Sequence, residues 1–301
     1  MLDKKRKDAS SGHEASDREF AFTVADFKQI RQMLYDHAGI NLNDSKKDMV
    51  YSRLARRLRA NRLSTFQEYL QLLERDDETE WEAFINSLTT NLTSFFREPH
   101  HFPILADFLR SQPNKRSFRI WCCAASTGEE PYTLAMTAIN AFGTFSPPVE
   151  IIATDIDTHV LAKAEAGIYA MERLNKLPRD VIKRFFLKGT GEKEGYAKVR
   201  KELRQMISFQ PLNLLDPRWP LQGAFDAIFC RNVMIYFDKN TQYKILQRFA
   251  PLLEPHGLLF VGHSESLHHA TEFFRLRKQT VYELAASRSN KPESHGPHTH
   301  T

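Results

Sequence analysis

Cysteine is scarce in this 301-residue chain: Cys122, Cys123 and Cys230 form an odd set with no metal-ligand spacing. That excludes a disulfide framework and a thiolate zinc site, and it points to reduced thiols in the cytosol. Adjacent residues of a strand face opposite sides, so Cys122 and Cys123 read as small buried hydrophobes. No apolar run approaches the roughly 18 residues of a membrane span. The N-terminus opens on charge and has no apolar signal region, so a cytoplasmic protein without membrane insertion is expected. Net charge is only +5, too little for a general polyanion binder. The three-glycine turn of dinucleotide sites is missing, and so is any Ser-His-Asp or paired-carboxylate constellation.

What is present centres on Ile120 to Met136, IWCCAASTGEEPYTLAM. An apolar strand at Ile120 to Ala125 leads into the polar turn Ser126-Thr127-Gly128-Glu129. A helix follows over Tyr132 to Ala141, with Pro131 in its first turn, where a missing N–H costs nothing. Strand, tight turn and helix is how α/β proteins hold nucleotide-like ligands. Glu129 and Glu130 in this turn repel a pyrophosphate and suit an ammonium group. The next apolar run, Glu150 to Thr154, ends in Asp155, 27 residues after Gly128. An acid there accepts hydrogen bonds from both ribose hydroxyls, or it caps the helix at His159 to Ala166.

Upstream, Phe27, Ile30, Met33, Leu34 and His37 recur at helical spacing, and Gly39 ends that helix. Further helices are expected over Lys46 to Ala60, Thr65 to Leu73 and Glu80 to Leu88, the third capped by Ser64 or Thr65. Arg53, Arg56, Arg57 and Arg59 make the second helix basic, while residues 68–82 are acidic. Such a basic face binds nucleic acid or an acidic protein helix, or it is a solvated face neutralised by the acidic segment.

Downstream, residues 167–205 break the alternation of strand and helix. Short strands near Phe185 to Leu187 and Tyr196 to Val199 flank Gly189-Thr190-Gly191, as in an inserted hairpin-like module. Met206 to Phe209 and Phe225 to Cys230 read as strands. A helix over Thr241 to Leu253, a strand at Leu258 to Val261 and a last strand at Thr280 to Leu284 complete a mostly parallel sheet with an antiparallel edge. The expected organisation is a disordered tail 1–20, a helical domain 21–90, a linker 91–101, an α/β domain 102–286 with a β insertion at about 170–205, and a second disordered tail 287–301.

The segments NLTSFFRE (from Asn91), CCAASTGEEPY, ATDID, FDAIFCRNVMIYFD and GLLFVGHSE, in this order, closely resemble the bacterial chemotaxis receptor methyltransferases, the CheR family. The likeness runs from about residue 22 to 284. It implies a Rossmann-like methyltransferase domain with a small N-terminal all-helical domain and an antiparallel β insertion. It implies S-adenosyl-L-methionine as donor, S-adenosyl-L-homocysteine as product, no metal, and glutamate side chains of chemoreceptor cytoplasmic helices as acceptors. The activity implied is protein-glutamate O-methyltransferase. By the resemblance, Asn91, Thr93, Arg97, Glu129, Asp155, Asn213, Leu214, Arg231 and Asn232 surround the cofactor, and Arg97 and Tyr236 lie near the reacting groups. Glu129 then pairs with the ammonium of the cofactor, Arg97 with its carboxylate, Asp155 with its ribose, and Asn213 and Leu214 with its adenine.

Arg53, Arg56, Arg57 and Arg59 become the surface for an acidic receptor helix. Gly189, Thr190 and Gly191 resemble the turn on which some members bind a receptor's C-terminal peptide as an added strand. Two other readings compete. One is a binding-only adaptor that keeps the cofactor site. The other is a nucleic-acid methyltransferase, which lacks its aromatic-plus-amide acceptor motif here.

Overall fold

The computed structural model describes residues 18–75, 78–89, 91–221 and 223–285. The expected tails over 1–17 and 287–301, and Asp76 and Asp77 of the acidic run, lie outside the described residues. Residues 18–20, assigned above to the tail, are instead packed. Phe20 is buried against the helical core, and Arg18 Nη2 stands 2.6 Å from Asp48 Oδ1.

Four helices come first: α1 (Val24–Ala38), α2 (Lys47–Ala60), α3 (Phe66–Glu74) and α4 (Glu78–Leu88). Thr23 and Thr65 begin α1 and α3 with reciprocal capping boxes, each threonine accepting a backbone N–H while the acid three residues on accepts the threonine's own. Gly39 ends α1 in the left-handed region at φ 66°. The apolar stripes of the four helices, among them Ile30, Leu34, Val50, Leu58 and Phe84, close on one core.

The rest of the chain builds a sheet. In order come α5 (His101–Arg110), β1 (Phe118–Cys122), α6 (Glu129–Phe142), β2 (Val149–Asp155) and α7 (Thr158–Ala166). An inserted module follows: β3 (Ile168–Ala170), α8 (Met171–Leu174), α9 (Arg179–Phe185), β4 (Phe186–Lys188), β5 (Tyr196–Val199) and α10 (Lys201–Gln205). The chain ends with β6 (Ile207–Pro211), β7 (Phe225–Cys230), α11 (Lys239–Phe249), β8 (Leu253–Val261), β9 (Phe274–Lys278) and β10 (Val281–Leu284).

The main sheet runs β6-β2-β1-β7-β8-β10-β9, parallel from β6 through β8, with antiparallel β10 and β9 at one edge. From β1 the chain moves outward to β2 and β6, then returns to β7 on the other side. That reversal leaves a crevice at the carboxyl ends of β1 and β7, the usual ligand position in such sheets. Both faces are covered: Ile120 and Cys122 enter one core cluster, Trp121 and Cys123 the other. In the inserted module the expected strands β4 and β5 pair antiparallel, and β3 adds a third strand in the order β3-β5-β4, so the module starts at Ile168. β9 escapes the sequence reading, and the helix expected to reach Leu253 ends at Phe249, where Pro251 follows in a short 3-10 turn. No described helix is long and apolar enough to cross a membrane.

Candidate active site

A cleft of about 190 Å³ opens where the helical domain meets the carboxyl ends of β1, β2, β6 and β7. Asn91, Thr93, Arg97, Asp155, Asn213, Leu214, Arg231, Asn232 and Tyr236 all border it. Polar contacts between the two parts hold its walls. The Asn41 N–H donates to the Tyr236 carbonyl (2.8 Å), Asn213 Nδ2 to the His37 carbonyl (3.0 Å), and the Tyr35 hydroxyl to Asp238 Oδ2 (2.5 Å). The helical domain adds Ile40, Leu42, Lys46 and Met49 to the lining. These four were missed from sequence, because nothing in their chemistry marks them apart from other core or surface residues.

The turn after β1 is tightly determined. Ser126 lies at φ 48° and donates its N–H to Asp155 Oδ2 (2.8 Å), while the Asp157 N–H donates to Asp155 Oδ1 (2.9 Å). Asp155 therefore does not cap α7; Asp157 does, accepting the Val160 N–H (3.1 Å). Burial pushes the Asp155 carboxyl up to about 6, against the pull of its backbone donors and with a further push from Asp157. Asn91 Nδ2 donates to Asp157 Oδ2 (2.8 Å), tying the linker to the same corner.

Glu129 was expected to face the cofactor ammonium, but it does not border the cleft; Glu130 does. Successive helical residues point about 100° apart. Glu129, fully buried, accepts from Thr127 Oγ1 (2.7 Å) and pairs with Arg173 of α8. Glu130 turns to the crevice, with Oε2 2.5 Å from Arg231 Nη1. The inserted module thus braces the turn, since the Tyr169 hydroxyl also donates to the Thr127 carbonyl (2.6 Å).

Arg231 is the hub of the opposite wall. It is buried, paired with Glu130, donates to the Arg97 carbonyl (2.5 Å), and stands 3.3 Å from Glu98 Oε2. Glu98, His100 and His101 bring donor atoms within 4.8 Å of one another. Glu98 already accepts from Asn232 and His263.

Three of the four arginines expected on the receptor-facing surface are otherwise engaged. Arg53 Nη1 donates to the Thr89 carbonyl (2.6 Å) at the end of α4. Arg57 grips buried Glu80 through Nε (3.0 Å) and Nη2 (2.5 Å), and Arg59 pairs with Glu19. Arg56 is exposed with no ion pair recorded among the described residues. Gly189, Thr190 and Gly191 lie on the β4–β5 connection and do not border the cleft, with β4 at one edge of its sheet.

Comparison with known proteins agrees with this architecture. The family model "CheR methyltransferase, all-alpha domain" matches residues 25–89, and "CheR methyltransferase, SAM binding domain" matches 91–283. Chemotaxis protein methyltransferase 2 of Pseudomonas aeruginosa is 54% identical over 269 residues, covering 89% of this chain and 96% of the relative. The chemotaxis protein methyltransferase of Escherichia coli is 54% identical over 266 residues, covering 88% and 92%. Matched on both sides of the cleft by these two family models, the chain belongs to the CheR methyltransferase family.

Proposed function

We propose that this S-adenosylmethionine-dependent methyltransferase of chemotaxis methylates glutamate side-chain carboxylates on chemoreceptor cytoplasmic helices, forming glutamyl methyl esters in adaptation. The observation that carries the reading is the convergence of Asp155, Glu130, Arg97 and Tyr236 on one cleft of a CheR-family chain.

The donor set suits the cofactor. Asp155 offers a buried carboxylate whose remaining lone pairs seek donors such as ribose hydroxyls. Glu130 offers negative charge for an ammonium, in the role first given to Glu129. Leu212, Leu214 and Ile156 supply apolar wall beside Asn213 for a base. When bound, S-adenosylmethionine supplies a methyl group activated by its sulfonium. A glutamate acceptor has an ordinary pKa of about 4.3 and is already ionised at neutral pH, so no general base is needed. No histidine borders the cleft among the described residues. The protein's task is then positioning and exclusion of water, which supplies about 7–11 kcal/mol in well-oriented systems. Arg97 and Tyr236 orient the acceptor carboxylate, while Arg231 keeps Glu130 and the linker in place.

Arg56, exposed on α2, meets an acidic receptor helix. The free edge of β4, beside exposed Leu187 and Tyr196, suits an added strand from a receptor's C-terminal peptide. A purified receptor cytoplasmic fragment and the same fragment with its acceptor glutamates changed to glutamine test the reading. Transfer to the first and none to the second supports it; equal labelling of both overturns it.

A further inference from the structure

Glu98 takes no part in the reading above, yet its geometry is unusual. It lies at φ 53°, as does Phe96, so Arg97 is flanked on both sides by non-glycine residues in the left-handed region. Such backbone is unfavourable and persists only where the surroundings impose it. Here the Phe96 N–H donates to Thr133 Oγ1 (3.2 Å), Arg97 Nη1 donates to the Leu92 carbonyl (2.8 Å), and Glu98 is anchored through its own side chain. Oε1 accepts from Asn232 Nδ2 (3.2 Å), Oε2 accepts the His263 N–H (3.1 Å), and Oε2 stands 3.3 Å from Arg231 Nη2.

One carboxylate thereby joins the linker to the loops after β7 and β8. Arg231 closes the loop by donating to the Arg97 carbonyl as well, so one guanidinium holds two consecutive residues of the linker. The far side is equally fixed. Asn232 is itself left-handed at φ 59°, its N–H donates to Glu265 Oε2 (2.9 Å), and Gly262 is so close that an added Cβ would stand 2.4 Å from Asn232 Nδ2. Burial raises the Glu98 carboxyl, but the His263 N–H, Arg231 and Asn232 together outweigh it and hold the group below the usual carboxylate range.

We propose that Glu98 is a positioning residue for methyl transfer: its carboxylate locks the Phe96–Glu98 backbone to the ends of β7 and β8 and so fixes the direction in which Arg97 enters the cleft. This rests on the methyltransferase reading of that cleft. Glu130 still holds Arg231 when Glu98 is changed, so the cofactor wall persists and the loss falls on turnover.

The test uses the full chain with Glu98→Gln and Glu98→Gly. Glutamine keeps the size and the backbone strain; glycine relieves the strain and deletes the carboxylate. At saturating donor, kcat should fall about tenfold or more in both, while S-adenosylhomocysteine affinity measured by calorimetry changes less than about threefold. Amide hydrogen exchange over residues 93–98 should quicken in both. Wild-type turnover in either variant overturns the proposal, as does recovery of kcat in Glu98→Gly relative to Glu98→Gln, which assigns the effect to strain. If the wild-type chain transfers no methyl group, the reading of the cleft fails instead. The exchange rates still decide whether Glu98 orders the linker, and unchanged rates refute it.

Discussion

Replacing Asp155 with asparagine separates two things its carboxylate does. In the free protein it is a buried anion, pushed from the ordinary 3.8 up to about 6. At alkaline pH that rise costs roughly 3 kcal/mol of folding stability (6 − 3.8, times about 1.36). The sign follows from a raised carboxyl. Its contribution favours the folded state below 3.8 and is lost as pH rises through about 6. Asparagine removes the buried charge but must turn its amide donors toward the N–H groups of Ser126 or Asp157, leaving a bond unmade at about 1–3 kcal/mol. The two effects nearly cancel, so Asp155→Asn should melt within a few degrees of wild type.

Cofactor binding should not cancel. Two hydroxyl donors to a charged acceptor contribute about 1.5–3 kcal/mol each, so affinity should fall by about two to four orders of magnitude. The wild-type affinity should also weaken tenfold for each pH unit below about 6, as Asp155 takes up a proton. Titration calorimetry with S-adenosylhomocysteine between pH 5 and 8 measures both. A flat wild-type profile, or an Asp155→Asn variant within threefold of wild type, refutes the assignment of Asp155 to the ribose.

Other perturbations divide recognition from stability. Arg56→Glu should raise the KM for receptor about tenfold and leave cofactor affinity and melting temperature unchanged; parallel loss of cofactor binding sinks the recognition role. Arg57→Ala leaves Glu80, whose side chain is only 7% exposed, without its guanidinium. It should cost roughly 2–3 kcal/mol in urea unfolding, less than a fully buried pair because Arg57 is 27% exposed. Gly128→Ala adds a Cβ at φ 96°, 2.7 Å from the Tyr169 hydroxyl and 2.9 Å from Ala164 Cβ; weakened S-adenosylhomocysteine binding is expected, and wild-type affinity would show the turn to be more pliant than drawn.

Local pattern carries most of the fold. β7 is legible because a strand covered on both faces is apolar throughout, FDAIFC, and α1 because its apolar period ends on Gly39. β9 is not legible: FRLRK at a sheet edge buries only Phe274, so charge dominates its composition. The site divides along the same line. Asp155 and Arg97 stand out by chemistry and position, but local pattern does not show that Glu129 pairs with Arg173, 44 residues away, while Glu130 borders the cleft. Helical spacing puts Arg53 and Arg57 on one face, yet it cannot show that Thr89 and Glu80, 36 and 23 residues distant, already hold them. Glu98 gives no local signal either, since the groups that hold its carboxyl below the usual range, His263, Arg231 and Asn232, come from the ends of two later strands.

Esterification of a carboxylate by positioning alone leaves a distinctive chemical product. The most direct measurement is the chemistry of the transferred methyl group on a purified receptor cytoplasmic fragment incubated with this protein and methyl-labelled S-adenosylmethionine. Label on glutamate, released as methanol by mild alkali, is the expected result. Alkali-stable label on nitrogen, or no transfer to receptors under conditions where the cofactor binds, would contradict it.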